Sequence, residues 1–133
     1  MSSLAYLDAS ALVKLVVAEP ETNALERDVL QREALLSSRL AATELRRAAS
    51  RSGSRAALGH VDEVLEAVYL IDVTAAILEA AGELKPADLR TLDAIHLATA
   101  LSMSTPDVDF ITYDDRLGRA AARQGLAVTS PGR

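Results

Sequence analysis

Two rhythms of apolar positions alternate along the chain. Short, nearly unbroken apolar runs read as buried strands: residues 4–7 (LAYL), 34–38 (ALLSS), 68–73 (VYLIDV), 108–113 (VDFITY) and, more weakly, 126–130 (LAVTS). Between them, apolar residues recur at helical spacing. Ala11, Leu12, Leu15, Val16 and Val17 mark a helix over 10–18, stopped by Pro20. Ala24, Leu25, Val29 and Leu30 share one side of a second helix over 21–32. Further helices are predicted over 39–52 with Ser38 as cap, over 55–67 after the SGS break at 52–54, and over 75–84 with Thr74 as N-cap. Two more follow, over 91–103 and over 115–124, the latter ended by Gly125. Residues 84–90 form a connection, and the last few residues are expected to fray. Strand alternating with helix predicts one α/β domain over 1–133, with a mostly parallel sheet of about five strands and helices on both faces. In such sheets, sites form beyond the carboxyl ends of the strands.

Composition sharpens this picture in three ways. Half of the 133 residues are hydrophobic but only 3% are aromatic, so alanine and leucine must fill the core. The absence of cysteine removes disulfides and thiolate metal sites. No run of 18 apolar residues occurs and the start lacks the pattern of a secretory signal, so no membrane partner is expected and the chain reads as cytoplasmic. The net charge of −5 argues against a general nucleic-acid coat protein. A nuclease is not excluded, because carboxylates gathered around a metal count as negative. Four arginines, Arg46, Arg47, Arg51 and Arg55, nevertheless cluster. Such a run is a solvated face, or a contact for RNA or for a protein partner.

Four acidic residues stand in apolar or small-residue surroundings. Asp8 ends the first strand, Glu44 lies inside the helix after the second, Asp93 sits in the first turn of the helix from Thr91, and Asp114 follows the fourth strand. Carboxylates brought to one edge repel unless a cation sits among them. Oxygen-only ligands suit Mg²⁺ or Mn²⁺, and little here suits zinc. A hard cation so held serves phosphoryl chemistry, because it orients a phosphodiester and lowers the pKa of an attacking water.

The blocks YLDASALVKL (6–15), TELRRA (43–48), TLDAIHLATAL (91–101) and FITYDDRL (110–117) resemble, in order, the four motifs of the PIN-domain ribonucleases, and most closely the VapC-like toxins of bacterial toxin–antitoxin pairs. The resemblance covers nearly the whole chain. It implies an α/β/α sandwich, Mg²⁺-dependent (or Mn²⁺-dependent) cleavage of RNA to a 5′-phosphate and a 3′-hydroxyl, and inhibition by a cognate antitoxin. It assigns Asp8, Glu44, Asp93 and Asp114 as catalytic metal ligands, with Ser10 and Thr112 in support. Strand alternation puts Thr112 and Asp114 on one face, so Asp115 is expected to begin the next helix as a supporting residue. Apolar helix faces around Leu12, Leu15, Val16, Leu25, Val29 and Leu30 exceed what one thin sheet can cover. By the same resemblance, these surfaces imply a homodimer and a groove for an antitoxin segment, with a basic side chain near the acids.

Simpler readings stand beside these. Asp8 and Asp114 can be helix caps, Asp93 can favour a helix dipole, Glu44 can be solvated, and His96 can be a polar packing residue. Asp72, at the end of the third strand, is where a phosphoryl-accepting signalling domain would carry its acceptor, although a turn before Thr74 explains it. That fold also wants an acidic pair after the first strand and a lysine after the last, which LDAS and LAVTS lack. A non-catalytic binding module on the same fold is the remaining alternative.

Overall fold

The computed structural model describes residues 1–103 and 107–133. Their elements, in chain order, are β1 (Leu4–Leu7), α1 (Ala9–Val16), α2 (Thr22–Val29), β2 (Ala34–Ser38), α3 (Leu40–Ser52), α4 (Arg55–Glu66), β3 (Val68–Ile71), α5 (Ala75–Glu83), α6 (Thr91–Leu101), β4 (Val108–Ile111), α7 (Asp115–Arg123) and β5 (Ala127–Thr129). The five strands form one sheet in the order β3-β2-β1-β4-β5, and every pairing is parallel. The predicted α/β/α sandwich is therefore the observed one.

Alternation along the strands sends side chains to two cores. Ala5 and Leu7 pack with Ala11, Leu12, Leu45 and Val61, from α1, α3 and α4. Tyr6 and Leu36 face the other way, with Phe110, Leu97 and Leu117, so α6 and α7 cover that side. The Tyr6 and Phe110 rings stack with centroids 5.4 Å apart. With few aromatics available, small residues let the helices close on the sheet, as Ala41 and Ala49 do on α3 and Ala120 and Ala121 on α7.

Several predicted boundaries shift, each for a local reason. β4 ends at Ile111 rather than 113 because side chains take over its ladder: the Ser10 hydroxyl accepts from Tyr113 N (3.0 Å) and the Thr112 hydroxyl from Asp114 N (3.1 Å). β3 likewise stops at Ile71, and the chain then turns to Thr74, whose hydroxyl caps α5 by accepting from Ile77 N. Ser38 is not the formal cap of α3. Arg39 holds that place without a side-chain bond, although Leu40 N donates to the Ser38 hydroxyl at 3.1 Å. α6 ends at Leu101, two residues early.

Most of the apolar face expected to bind a partner is consumed within the chain. Leu12 and Leu25 are fully buried, and Leu15, Val16 and Val29 pack partly buried on the same core. Only Leu30 projects, at 84% exposure. At the amino end of the sheet, the Arg32 side chain is 1% exposed and pairs with Asp28 and Asp109 while donating to Ser2 O.

Candidate active site

The strand order reverses at β1, which lies between β2 and β4. Connections leave in opposite directions there, opening a crevice beyond the carboxyl ends. Asp8 is the first residue past β1. Its backbone N–H still donates to Ile111 O (3.3 Å), while its side chain caps α1 by accepting from Ala11 N (3.0 Å). The Ser10 hydroxyl donates to the same oxygen at 2.7 Å, and the Thr112 hydroxyl donates to the other at 2.6 Å. Asp8 is thus both a helix cap and a buried carboxylate, 2% exposed. Burial raises its pKa above the usual carboxylate range, against the Ser10, Thr112 and Ala11 hydrogen bonds.

Asp114 and Asp93 come from different segments to a common neighbour. Asp114 caps α7 through Oδ1, which accepts from Leu117 N at 3.0 Å. Its Oδ2 accepts from Arg90 Nη2 at 2.9 Å, and Asp93 Oδ2 accepts from Arg90 Nε at 3.2 Å. Burial, and then the Asp114 charge, raise the pKa of Asp93, while Arg90 opposes the rise. Asp115 points away: its side chain is 77% exposed and pairs with Arg133. Strand alternation does not cause this difference, since β4 has already ended and both Thr112 and Tyr113 are buried. The cap is what aims Asp114 into the crevice.

Glu44 reaches the site by another route. His96, 1% exposed on α6, bridges it to the core: the Tyr6 hydroxyl bonds to Nδ1 at 2.8 Å, and Nε2 bonds to Glu44 Oε1 at 2.6 Å. Burial drives the Tyr6 pKa far up, so the phenol keeps its proton. A carboxylate oxygen accepts, so Nε2 is the nitrogen that carries hydrogen toward Glu44. The packing role read from the sequence is real, and it also orients a candidate ligand.

The four acids line one edge, yet among the described residues no three His, Asp or Glu side chains converge closely enough to hold an ion as they stand. Asp8 is drawn in by Ser10 and Thr112, Glu44 by His96, and Asp93 and Asp114 are spanned by Arg90. The donor set nevertheless fits a hard divalent cation, being made of carboxylate oxygens, and a guanidinium already occupies the place of positive charge between two of them. Sequence reasoning missed Arg90. The nearest signal was its position three residues before Asp93, on the exposed start of a helix.

Beside Ser10 and Glu44 opens a cavity of about 530 Å³, lined by Lys14, Arg47, Arg51, Tyr113 and Arg133 among others. Lys14 lies 4.7 Å above the Tyr113 ring and is committed to Glu19 and Glu21. Arg46 points elsewhere and pairs with Asp62, whereas Arg47 and Arg51 face the cavity with no ion-pair partner among the described residues. Asp72, the alternative phosphoacceptor, follows an edge strand and makes an exposed pair with Arg39, away from this crevice.

The PIN domain family matches residues 5–123. Ribonuclease VapC46 of Mycobacterium tuberculosis is 45% identical over 132 residues, covering 95% of this chain and 96% of its own. Among solved structures, the fold is similar to VapC20 of M. tuberculosis, described as a sarcin-ricin loop cleaving toxin (TM-score 0.69, 19% identity, 96% and 99% of the two chains). It is similar too to VapBC2 of Rickettsia felis bound to a DNA fragment from its promoter (TM-score 0.69, 15% identity, 96% and 98%). A parallel sheet reversing at β1, acids delivered to its carboxyl edge from four segments, and a family match over nearly the whole chain place this protein in the PIN-domain family, among its VapC-like ribonucleases.

Proposed function

We propose that this protein is a divalent-metal-dependent endoribonuclease, the toxin of a toxin–antitoxin pair, with Mg²⁺ or Mn²⁺ held by Asp93, Asp114, Asp8 and Glu44. The observation that carries this reading is that carboxylates from separate segments are brought to the sheet's reversal point, beside a cavity lined by Arg47 and Arg51, which have no ion-pair partner among the described residues. Acids alone would repel a nucleic acid, and arginines alone would bind one without cutting it.

The residues divide the work. Ser10, Thr112 and the α1 N-terminus fix Asp8, and His96 fixes Glu44, so neither must reorganise when charge develops. Arg47 and Arg51 offer guanidinium groups to backbone phosphates, in a cavity whose wall also holds Tyr113. A bound divalent cation supplies charge neutralisation at the phosphodiester and a lowered pKa for the attacking water. The substrate class we assign is RNA presented as an unpaired loop or strand, because an open cavity beside the acids takes splayed nucleotides rather than a duplex. A cognate antitoxin and a homodimer belong to the same reading. Exposed Leu78 and the apolar cleft of Ala76, Ile77, Ala80, Leu84, Ala98 and Leu101 are surfaces available for them.

The deciding experiment uses protein purified free of antitoxin, a loop-containing RNA pool, and Mg²⁺ or Mn²⁺. Cleavage is expected, stops with EDTA, and is nearly abolished in Asp93→Asn with an unchanged circular-dichroism spectrum. Full cleavage by folded Asp93→Asn protein would refute the assignment.

A further inference from the structure

Arg90 differs from the other arginines in surface ion pairs. In the pairs Arg39–Asp72, Arg46–Asp62 and Arg116–Asp88, both side chains are more than half exposed. Arg90 is 73% exposed, but its partners Asp93 and Asp114 are only 19% and 21% exposed. An exposed cation thus sits over two sheltered anions.

The atoms it takes are informative. Asp114 Oδ1 is committed to capping α7 and both Asp8 oxygens are committed to scaffold donors. Arg90 binds Asp114 Oδ2 and Asp93 Oδ2, for which no scaffold donor is present among the described residues. These are the oxygens that a cation entering the crevice needs. A guanidinium and a metal ion compete for them, because two cations held on the same oxygens repel and each weakens the other's hold. The divalent ion carries the larger and more compact charge, while the exposed arginine can turn out into water.

We propose that Arg90 is a displaceable counter-ion: its guanidinium spans Asp93 and Asp114 until a divalent cation binds, then yields those same oxygens to it. The inference rests on the proposed metal site. It gives that site a regulated entry, since metal binding must first break two charge-assisted contacts. Once released, Arg90 stays tethered at the start of α6, beside the reacting centre.

The test measures Mn²⁺ affinity by the electron paramagnetic resonance signal of the free ion, with melting temperatures recorded without metal and at saturating Mn²⁺. The proteins are the parent, Arg90→Gln, Arg90→Lys and, as a control for net charge, Arg116→Gln. Arg90→Gln is expected to bind Mn²⁺ about fivefold more tightly, as removal of competing contacts of ordinary strength implies. Arg90→Lys, a point charge without the fork, should fall between, and Arg116→Gln should match the parent. Arg90→Gln should melt lower than the parent without metal and together with it at saturating Mn²⁺. A merely structural arginine would lower both melting points alike. Equal or weaker Mn²⁺ binding by both Arg90 variants, with the parent binding, overturns the proposal and leaves the metal site standing. If neither parent nor variants bind Mn²⁺, the site assignment fails and the proposal with it.

Discussion

Thr112 shows how much one hydroxyl can organise. It donates to Asp8, accepts from the Asp114 backbone and lies 3.4 Å from the Ser10 hydroxyl, so it couples the ends of β1 and β4. Asp8 sits in this network as a buried anion, and burial raises its pKa. The sign follows directly. A raised carboxylate pKa in the folded state means that folding is favoured while the group is protonated. Stability is then lost as pH rises from the unfolded value through the folded one. Without metal, placing a charge on Asp8 is therefore a cost to the folded state. In an Asp8→Asn variant the amide oxygen could still accept from Ser10 and Ala11, and the amide nitrogen could donate to Thr112, whose hydroxyl can reverse. Asp8→Asn is therefore expected to melt at or above the parent in EDTA, while losing most of the rise that Mn²⁺ produces in the parent. A variant that melts well below the parent in EDTA would show that the negative charge itself holds β1 to β4. Asp8 was legible in the sequence because a carboxylate at the end of an apolar run is conspicuous. Arg90 was not, because an arginine in a polar connection looks like any solvated residue until the fold brings Asp114 to it.

On α3, function and packing occupy adjoining stripes. Ala41, Leu45 and Ala49 are buried against the core, while Glu44, Arg47, Ala48 and Arg51 line the cavity. The spacing is i, i+3, i+4, i+7, one face of a helix. Sequence alone left the arginine run undivided, since neighbouring residues differ by about 100° around a helix and only a partner element decides which way each one faces. That partner is α4, whose Asp62 takes Arg46 and leaves Arg47 and Arg51 to the cavity. Binding of a labelled single-stranded RNA to Asp93→Asn protein in EDTA should therefore weaken on adding Arg47→Gln or Arg51→Gln. Each should lower the slope of log affinity against log salt by roughly 0.7. Arg46→Gln should leave the slope unchanged. Equal effects at all three positions would mean that the cluster acts only as diffuse charge. The helices and strands themselves were legible because the two periodicities were clean. Their ends were less so wherever a side chain, such as Ser10 at Tyr113, replaced a backbone partner.

For the whole molecule, the two ends of the sheet contrast. The carboxyl end gathers acids with few fixed cations, while the amino end holds a saturated ion cluster around Arg32. Burial pushes the Asp109 pKa up, but Arg32, the Ser2 N–H and the chain's amino terminus together hold it below the usual carboxylate range. The depressed pKa makes this contribution present above about pH 4, the unfolded value, and lost as pH falls through the folded one. Arg32→Met should destabilise by about 3 kcal/mol at neutral pH, since it takes the guanidinium from two sheltered carboxylates, Asp28 and Asp109. Denaturant titrations should show that deficit shrinking below about pH 4. A deficit independent of pH would place the effect in packing alone. The folded chain was legible as a class because alternation of strand and helix admits few topologies. Its covering of the α1 and α2 faces was not, because burial by α3 and α4 depends on tertiary docking, which the local pattern does not encode.

The Thr112–Asp8 bond joins residues 104 positions apart. Asp114 and its cap on α7 lie just beyond. During synthesis, then, β1, β2 and β3 can emerge and begin to pair while the reacting edge lacks half of its parts. A ribosome-bound chain ending before Val108 carries Asp8 without its anchoring hydroxyl and Asp93 without its neighbour, and so no assembled cutting edge. Because the edge is completed only once Thr112 and Asp114 have been made, the RNA that the growing chain passes on its way out meets no working nuclease while β1, β2 and β3 are being synthesised. That delay leaves an interval in which an inhibitor can arrive first.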